Sequence, residues 1–413
     1  MRRLLAWILV CVLVLPGSAF AQAQDHVTIA RETVEQIFEG NAAKAYARFT
    51  PEMKAAITLD ALKTMMAQLE DMCGTYTGIE AVEDIDVAVI IRVGMAKMPV
   101  IAQVSIDRNG FVQGLGITPI QEEQARAERT LEQNEEAVAV GEYKLDGVLT
   151  MPEGEKLPAV VLVHGSGPND RDETVGDTAI FRDLAEGLSS VGIAVLRYDK
   201  RSYAMNRGII PVTPEEIEKM TVYDDTIEDA VAAVMLLKAD PRIDPERIYV
   251  IGHSQGAMLA GRIQAEARAS GLVLLAGTMR NMCTLMAEQL EALGADSFAE
   301  QIALARALPD MTEEETAGLT LIGAPVYIFW EEAQHDLKAV YDAVDVPMLV
   351  IQGQDDTQVY ADRDYPLWEA FAREHPEKDV ELRLYEGLGH MLTEGTALSP
   401  LVLEEISAWI LSR

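Results

Sequence analysis

The chain has 413 residues, 49% hydrophobic and 24% charged, with a formal charge of −33 from 34 basic and 67 acidic side chains. That length holds two or three domains of ~150 residues, and the composition excludes disorder and collagen-like repeats. An acidic surface repels phosphate backbones and anionic headgroups, which argues against nucleic acid as a partner.

Arg2 and Arg3 precede the apolar run Leu4–Leu15. As a helix that run rises only ~18 Å, short of a ~30 Å hydrocarbon core. Pro16-Gly17 ends it, and Ala19-Phe20-Ala21 has the small-x-small pattern of a signal peptidase site. Residues 1–21 therefore read as a cleaved signal peptide of an exported protein, periplasmic or secreted, without a stable membrane anchor. Only Cys73 and Cys283 follow. They read as two free, buried thiols rather than a disulfide framework, although export permits one bond. With no cysteine cluster and no H-E-x-x-H helix, the sequence offers no metal site.

Residues 22–119 read as a small α+β domain. Val34, Ile37, Phe38, Ala45 and Phe49 recur at helical spacing, as do Leu62, Met65, Met66 and Leu69, with Thr58 and Asp60 as a helix start. The period then changes to strands at Val87–Val93, Pro99–Ile106 and Phe111–Ile117, with Arg108-Asn109-Gly110 as the last turn. Residues 120–136 are charged and poor in large apolar side chains, the composition of a linker.

From 137 to 413 strands and helices alternate. Glu142–Met151 reads as an opening strand or hairpin. Continuous β-branched runs follow at Ala159–Val163, Ile193–Tyr198, Arg247–Ile251, Leu272–Leu275, Met348–Ile351 and Val380–Leu384. Such runs between helical stretches predict a mostly parallel sheet covered on both faces. Residues 278–345 interrupt the rhythm with helical, Met- and Ala-rich sequence, the pattern of a lid insertion. Its apolar residues Leu285, Met286, Leu290 and Leu293 form a packing face, and Tyr327 and Trp330 are candidate walls of a modest pocket, with ordinary core packing the alternative for Trp330.

Gly252-His253-Ser254-Gln255-Gly256 is G-x-S-x-G, weak alone but sharpened by a β-run directly before it and a helix-compatible run directly after. A sharp strand-to-helix turn exposes a serine hydroxyl, the flanking glycines relieve crowding, and the helix start offers backbone N–H groups to an oxyanion. A serine needs a base. Of six histidines, His390 in Gly387-Leu388-Gly389-His390 follows the last strand, at the sheet edge where it can approach Ser254. His253 should point away from the serine, and His164 should order its own loop by hydrogen bonding. The base in turn needs a carboxylate, and Asp355 and Asp356 both follow the strand Met348–Ile351; spacing does not separate them. The loop His164-Gly165-Ser166-Gly167-Pro168 follows the first buried parallel strand and supplies a second donor, the Ser166 N–H, beside that of Gln255.

With His164–Pro168, Tyr198-Asp199-Lys200-Arg201-Ser202, Gly252–Gly256, Gly353-Gln354-Asp355-Asp356-Thr357-Gln358-Val359 and Gly389-His390, residues 137–413 resemble an α/β-hydrolase of the bacterial serine esterase and acyl-hydrolase group. Such enzymes show G-x-x-D-x-x-V after the late strand, which favours Asp356 over Asp355 and gives the order Ser254, Asp356, His390. Ser202 stands where that group often has glycine. Residues 27–119 resemble, less specifically, a domain of unknown function that often precedes this hydrolase type. The resemblance implies carboxylic-ester hydrolysis through an acyl-enzyme, with no metal or organic cofactor, and the many acids of residues 278–345 favour small, short-acyl esters over an oil surface. Peptidase and thioesterase activities use the same triad, and a non-catalytic binding protein is the alternative from another class. Substrate, acyl length and oligomeric state are not legible.

Overall fold

A computed structural model describes residues 23–84, 89–97, 99–119, 132, 134–207, 209–295 and 298–413. The expected signal peptide and most of the expected linker lie outside these residues. The described residues divide into two compact units, the first drawn from Met1–Arg129, Leu293–Gln301 and Gly318–Pro325, the second from Thr130–Ala292, Ile302–Ala317 and Val326–Arg413. Two short pieces of the 278–345 segment thus group with the first unit.

In the first unit, helices Ala23–Phe38 and Leu59–Cys73 accompany a four-stranded antiparallel sheet of β1 (Tyr76–Asp84), β2 (Val89–Met95), β3 (Val100–Ile106) and β4 (Val112–Pro119), in that order. Val34, Ile37, Phe49 and Leu62 from the helical region pack with Ile91, Val93, Ala102 and Ile117 into one core. The Thr58 hydroxyl accepts the Ala61 N–H at 3.2 Å, the cap its sequence position suggests. The turn into β4 closes on Asp107, whose carboxylate accepts the N–H groups of Asn109 and Phe111. The sequence pattern misses β1. Gly78 there has φ +144°, and register shifts between Tyr76 and Gly78 and between Ile79 and Ala81 spoil the alternation that marks a strand. Val87, expected in β2, lies outside the described residues. Cys73 is buried and free.

The second unit is built on an eight-stranded sheet. Its strands are β5 (Glu135–Val140), β6 (Leu145–Thr150), β7 (Leu157–Val163), β8 (Ala194–Tyr198), β9 (Ile243–His253), β10 (Gly271–Leu275), β11 (Met348–Gly353) and β12 (Val380–Tyr385), in the order β12-β11-β10-β9-β7-β8-β6-β5. From β12 to β8 all neighbours run parallel; β6 and β5 close one edge as an antiparallel hairpin. This is the mostly parallel sheet that the alternation of elements predicts, in the α/β-hydrolase arrangement that the resemblance implies. β7 is buried along its whole length because it faces a core on each side: Ala159, Val161 and Val163 join one cluster, Val160 and Leu162 the other. Between β10 and β11 the chain is helical, with Met282–Gly294, Ala299–Ala307, Tyr327–Ala333 and Leu337–Asp342.

β5 begins inside the stretch expected as a linker. Glu135 looks like a solvent-facing acid in the sequence, but its side chain is only 5% exposed and binds the buried Arg197 guanidinium at 2.7 Å. The same Arg197 holds Asp172 at 2.7 Å and Thr150 at 2.9 Å. This network fastens the opening hairpin to the loop that follows β7.

Candidate active site

Chain order reverses direction at the centre of the sheet. From β7 the chain crosses to β8 on one side, and β9 returns on the other, with Gly252 paired to Val163. The loops leaving the C-terminal ends of β7 and β9 therefore emerge side by side, where parallel sheets open a crevice. Both loops carry candidate residues.

Ser254 sits between β9 and the helix Gln255–Ala267 with φ +52° and ψ −116°, a backbone conformation costly for a residue with a side chain. The turn is held by the Ser254 N–H donating to the Leu275 carbonyl at 2.8 Å. Its neighbours must be glycine. A Cβ on Gly252 would meet the Gly256 carbonyl oxygen at 2.3 Å, and one on Gly256 would meet that of Val163 at 2.1 Å. The first N–H groups of a helix have no intrahelical partner and form its positive end, and the Gln255 N–H is the first of its helix.

His390 Nε2 lies 3.0 Å from Ser254 Oγ, and His390 Nδ1 lies 2.8 Å from Asp356 Oδ2. Asp356 is buried, and every neighbour is a donor: the N–H groups of Gln358 and Val359 reach Oδ1 at 2.8 and 2.9 Å, and Gln352 Nε2 reaches Oδ2 at 2.8 Å. Burial alone would push this carboxyl up, but the His390 ring beside it and those N–H groups prevail and hold it below its ordinary value. Asp355 is exposed and contributes its N–H to the Leu388 carbonyl at 2.9 Å. Gly353 lets the base loop lie against β11, since a Cβ there would fall 2.4 Å from the Leu388 carbonyl oxygen. Ser254, Asp356 and His390, picked from three distant segments, are therefore brought together.

The loop after β7 stands against the serine. A Cβ on Gly165 would lie 3.2 Å from Ser254 Cβ, and Ser166 follows at the exposed tip. Asn169 Nδ2 ties the loop together through the carbonyls of Gly165, Ser166 and Gly167. The Gly165 N–H donates to Glu173 Oε1 at 2.6 Å. The His253 ring lies beside that of His390, with centroids 4.9 Å apart. Its Nδ1 lies 3.1 Å from Glu173 Oε1 and its Nε2 3.1 Å from the His390 carbonyl oxygen, two acceptors that suit an imidazolium. Burial opposes that charge, but Glu173 outweighs it and raises His253 above its ordinary value. The His164 ring is packed between Phe181 and Tyr198, with centroids 5.1 and 5.4 Å away, and full burial lowers its pKa to about 4.

Tyr327 and Trp330 lie on one short helix, their rings 5.4 Å apart. The contacts that fix them run to Lys219, whose ammonium sits 4.4 Å over the Tyr327 ring, and to the Met311 carbonyl, which accepts the Trp330 indole N–H at 2.8 Å. These contacts tie both rings to the insertion and to Lys219. Glu332 on the same helix does reach the site. Its Oε2 accepts from Gln255 Nε2 at 2.9 Å, and it is 2% exposed. Cys283 is buried and free, and burial pushes its thiol up to about 12.

Sequence reasoning missed Glu173, Lys200 and Glu332, because a charged residue reads as solvated until its partner is known. One signal was present: the charged run Asp199-Lys200-Arg201 directly follows β8, whose residues are all buried.

Burial pushes the Glu332 carboxyl up to about 7, with the Gln255 hydrogen bond a smaller opposing effect. An unfolded glutamate titrates near ~4.3, so between there and about 7 the folded chain holds a proton that the unfolded chain has lost. Stability from this group is therefore full below the window and falls as pH rises through it, by about 4 kcal/mol at most. Glu332→Gln keeps the acceptor and removes the titration. Its Tm is expected to fall less than that of the parent between pH 5 and 8; parallel melting curves across that range would show that burial does not govern Glu332.

The sheet order and the Ser–His–Asp arrangement at its crevice define an α/β-hydrolase-fold protein of the serine hydrolase class. The model of the family described as serine aminopeptidase, S33, matches residues 155–396, more than half of the chain, and the chain belongs to that family. Residues 30–115 match a second family, described as a protein of unknown function, DUF3887. Esterase EstD of Thermotoga maritima is 37% identical over 285 residues, which span 64% of this chain and 65% of that protein. A monoglyceride lipase homolog of Monkeypox virus is 21% identical over 282 residues, 62% of this chain and 89% of that protein. Among solved structures, Est1E from Butyrivibrio proteoclasticus aligns with a TM-score of 0.46 at 18% identity, over 68% of this chain and 98% of that one.

Proposed function

We propose that the protein is an exported serine carboxylesterase for small, short-acyl esters. The observation that carries the reading is the line from Ser254 Oγ through the His390 ring to the buried Asp356, with links of 3.0 and 2.8 Å. In the proposed reaction His390 Nε2 takes the Ser254 proton as Oγ attacks the acyl carbon, and Asp356 keeps the hydrogen of His390 on Nδ1. The N–H groups of Ser166 and Gln255 hold the oxyanion. Collapse expels the alcohol, which leaves with the proton from His390. Water, activated by the same histidine, then attacks the acyl-enzyme and releases the acid. Resemblance to a protein named as an esterase supports ester over amide substrates. The family description, a serine aminopeptidase, keeps amide hydrolysis as the second reading.

The short-acyl preference rests on charge. A lipase at an oil surface exposes a large apolar face, whereas the 278–345 segment carries Glu288, Glu291, Asp296, Glu300, Asp310 and Glu313-Glu314-Glu315. Loss of Arg2 and Arg3 with the signal peptide leaves a charge of −35, which opposes adsorption to anionic membranes. Export rests on Arg2, Arg3, the run Leu4–Leu15 and Ala19-Phe20-Ala21. The test is a panel of p-nitrophenyl esters of rising acyl length with matched anilides and thioesters, Ser254→Ala serving as the blank. The expected kcat/KM peaks between acetyl and butyryl and is far lower on anilides. A peak on long chains with a jump at micelle formation removes the short-acyl reading; a peak on anilides replaces esterase by peptidase.

A further inference from the structure

Lys200 is 1% exposed and lies outside the Ser–His–Asp line, yet its ammonium holds three groups around the serine turn. It donates to the Gly165 carbonyl oxygen at 2.9 Å, pairs with Asp225 Oδ2 at 3.1 Å, and reaches Gln255 Oε1 at 3.5 Å. We propose that Lys200 is a positioning residue that aims and polarises the Gly165–Ser166 peptide, whose N–H binds the oxyanion. The inference rests on the esterase reading and on Ser166 as a donor within it.

The geometry follows from the peptide unit. In a trans peptide the C=O and the following N–H point in opposite directions. Holding the Gly165 oxygen on Lys200 therefore turns the Ser166 N–H away from Lys200. Asn169 Nδ2 binds the same oxygen at 3.1 Å, and Glu173 holds the Gly165 N–H of the preceding peptide, so Gly165 is held on both sides while the Ser166 N–H is left to the site. Only one of these grips on the carbonyl is charged. An ammonium on a carbonyl oxygen draws electron density from the amide nitrogen and makes its N–H a stronger donor, an effect that grows at low local dielectric. That gain matters most when negative charge appears on the substrate oxygen, so it acts on the transition state more than on bound ester. The link to Gln255 brings the same cation beside the residue that supplies the second donor.

The competing role is plain charge balance: Asp225 is buried, also accepts the Ser202 N–H at 2.8 Å, and needs a counter-ion. The double variant Lys200→Met/Asp225→Asn separates the two. It removes both charges together, so a residue serving only Asp225 becomes dispensable, whereas the Gly165 oxygen still loses its donor. The measurement is kcat and KM on p-nitrophenyl acetate per active site, counted by end-point titration with a fluorophosphonate, with affinity for an aryl boronic acid as a mimic of the tetrahedral adduct. The expected result is a cooperative melt near that of the parent, kcat lower by about 10- to 100-fold, somewhat less than loss of an oxyanion donor itself. KM should stay within about twofold of the parent, and boronate binding should weaken in step with kcat. A double variant with parental kcat per site overturns the proposal. So does one that fails to fold, which makes Lys200 a residue of folding alone. If Ser254→Ala retains the turnover of the parent, the esterase reading itself falls and takes this inference with it.

Discussion

Ser254→Ala is expected to lower kcat on the best short ester by about 10⁵- to 10⁶-fold while the Tm stays close to the parent value. The substitution removes one oxygen, whose hydrogen-bond partner among the described residues is His390. Alanine meets the same positive φ that serine already tolerates, so the turn keeps its geometry and its strain. What survives is the rate provided by the N–H donors and binding, which remain after the nucleophile is gone. His390→Ala should match it, because a hydroxyl without a base is a weak nucleophile. The two losses should not add when combined, since either one disables the same step. A fluorophosphonate should add mass to the parent at Ser254 and to neither variant. Turnover in Ser254→Ala above about one percent of the parent would place the nucleophile elsewhere.

Asp356→Asn should cost about 10⁴-fold in kcat, and Asp355→Asn should leave kcat within about twofold. The contrast comes from the hydrogen-bond inventory. Both Asp356 oxygens face only donors: two backbone N–H groups, Gln352 Nε2 and the His390 ring. An asparagine in that place must set its NH₂ against one pair of them. If the NH₂ faces His390, Nδ1 becomes the acceptor, the ring hydrogen moves to Nε2, and the serine proton has nowhere to go. Asp355 offers the site no such contact, being exposed beside it. The same depressed carboxyl carries a stability signature. Its contribution is present above the ordinary carboxylate range and is lost as pH falls through its lowered folded value, so acid melts of Asp356→Asn should show a shallower decline. Equal losses in the two variants would dissolve the assignment of the acid.

The central strands were the most legible part of the fold. Val160, Val161 and Leu162 belong to a strand sealed on both faces, and such a strand must be apolar without interruption. The serine turn was legible for the opposite reason: steric contacts of 2.1 and 2.3 Å leave no residue but glycine at two fixed positions, and that spacing survives in the sequence. The polar scaffold was not. Glu173 lies 80 residues ahead of His253 in the chain, and Glu332 lies 77 residues after its partner Gln255. Nothing local distinguishes such acids from solvated ones. β1 escaped for a further reason, since a bulged strand loses the period of two by which strands are recognised.

The Arg197–Glu135 pair bears on how this catalytic unit can be moved between proteins. Recombination at a domain border succeeds when each side carries its own electrostatic complement, and here the cation deep in β8 is neutralised by the first residue of β5. The family match begins only at residue 155, twenty residues downstream of that carboxylate. A gene fusion cut at the family border, or one starting at Ala137, inherits Arg197 with Asp172 but without Glu135, so the buried guanidinium loses one of its two carboxylates and the unit is destabilised. The heritable module is thus longer than its recognisable motif, and its portability is set by an ion pair at its threshold.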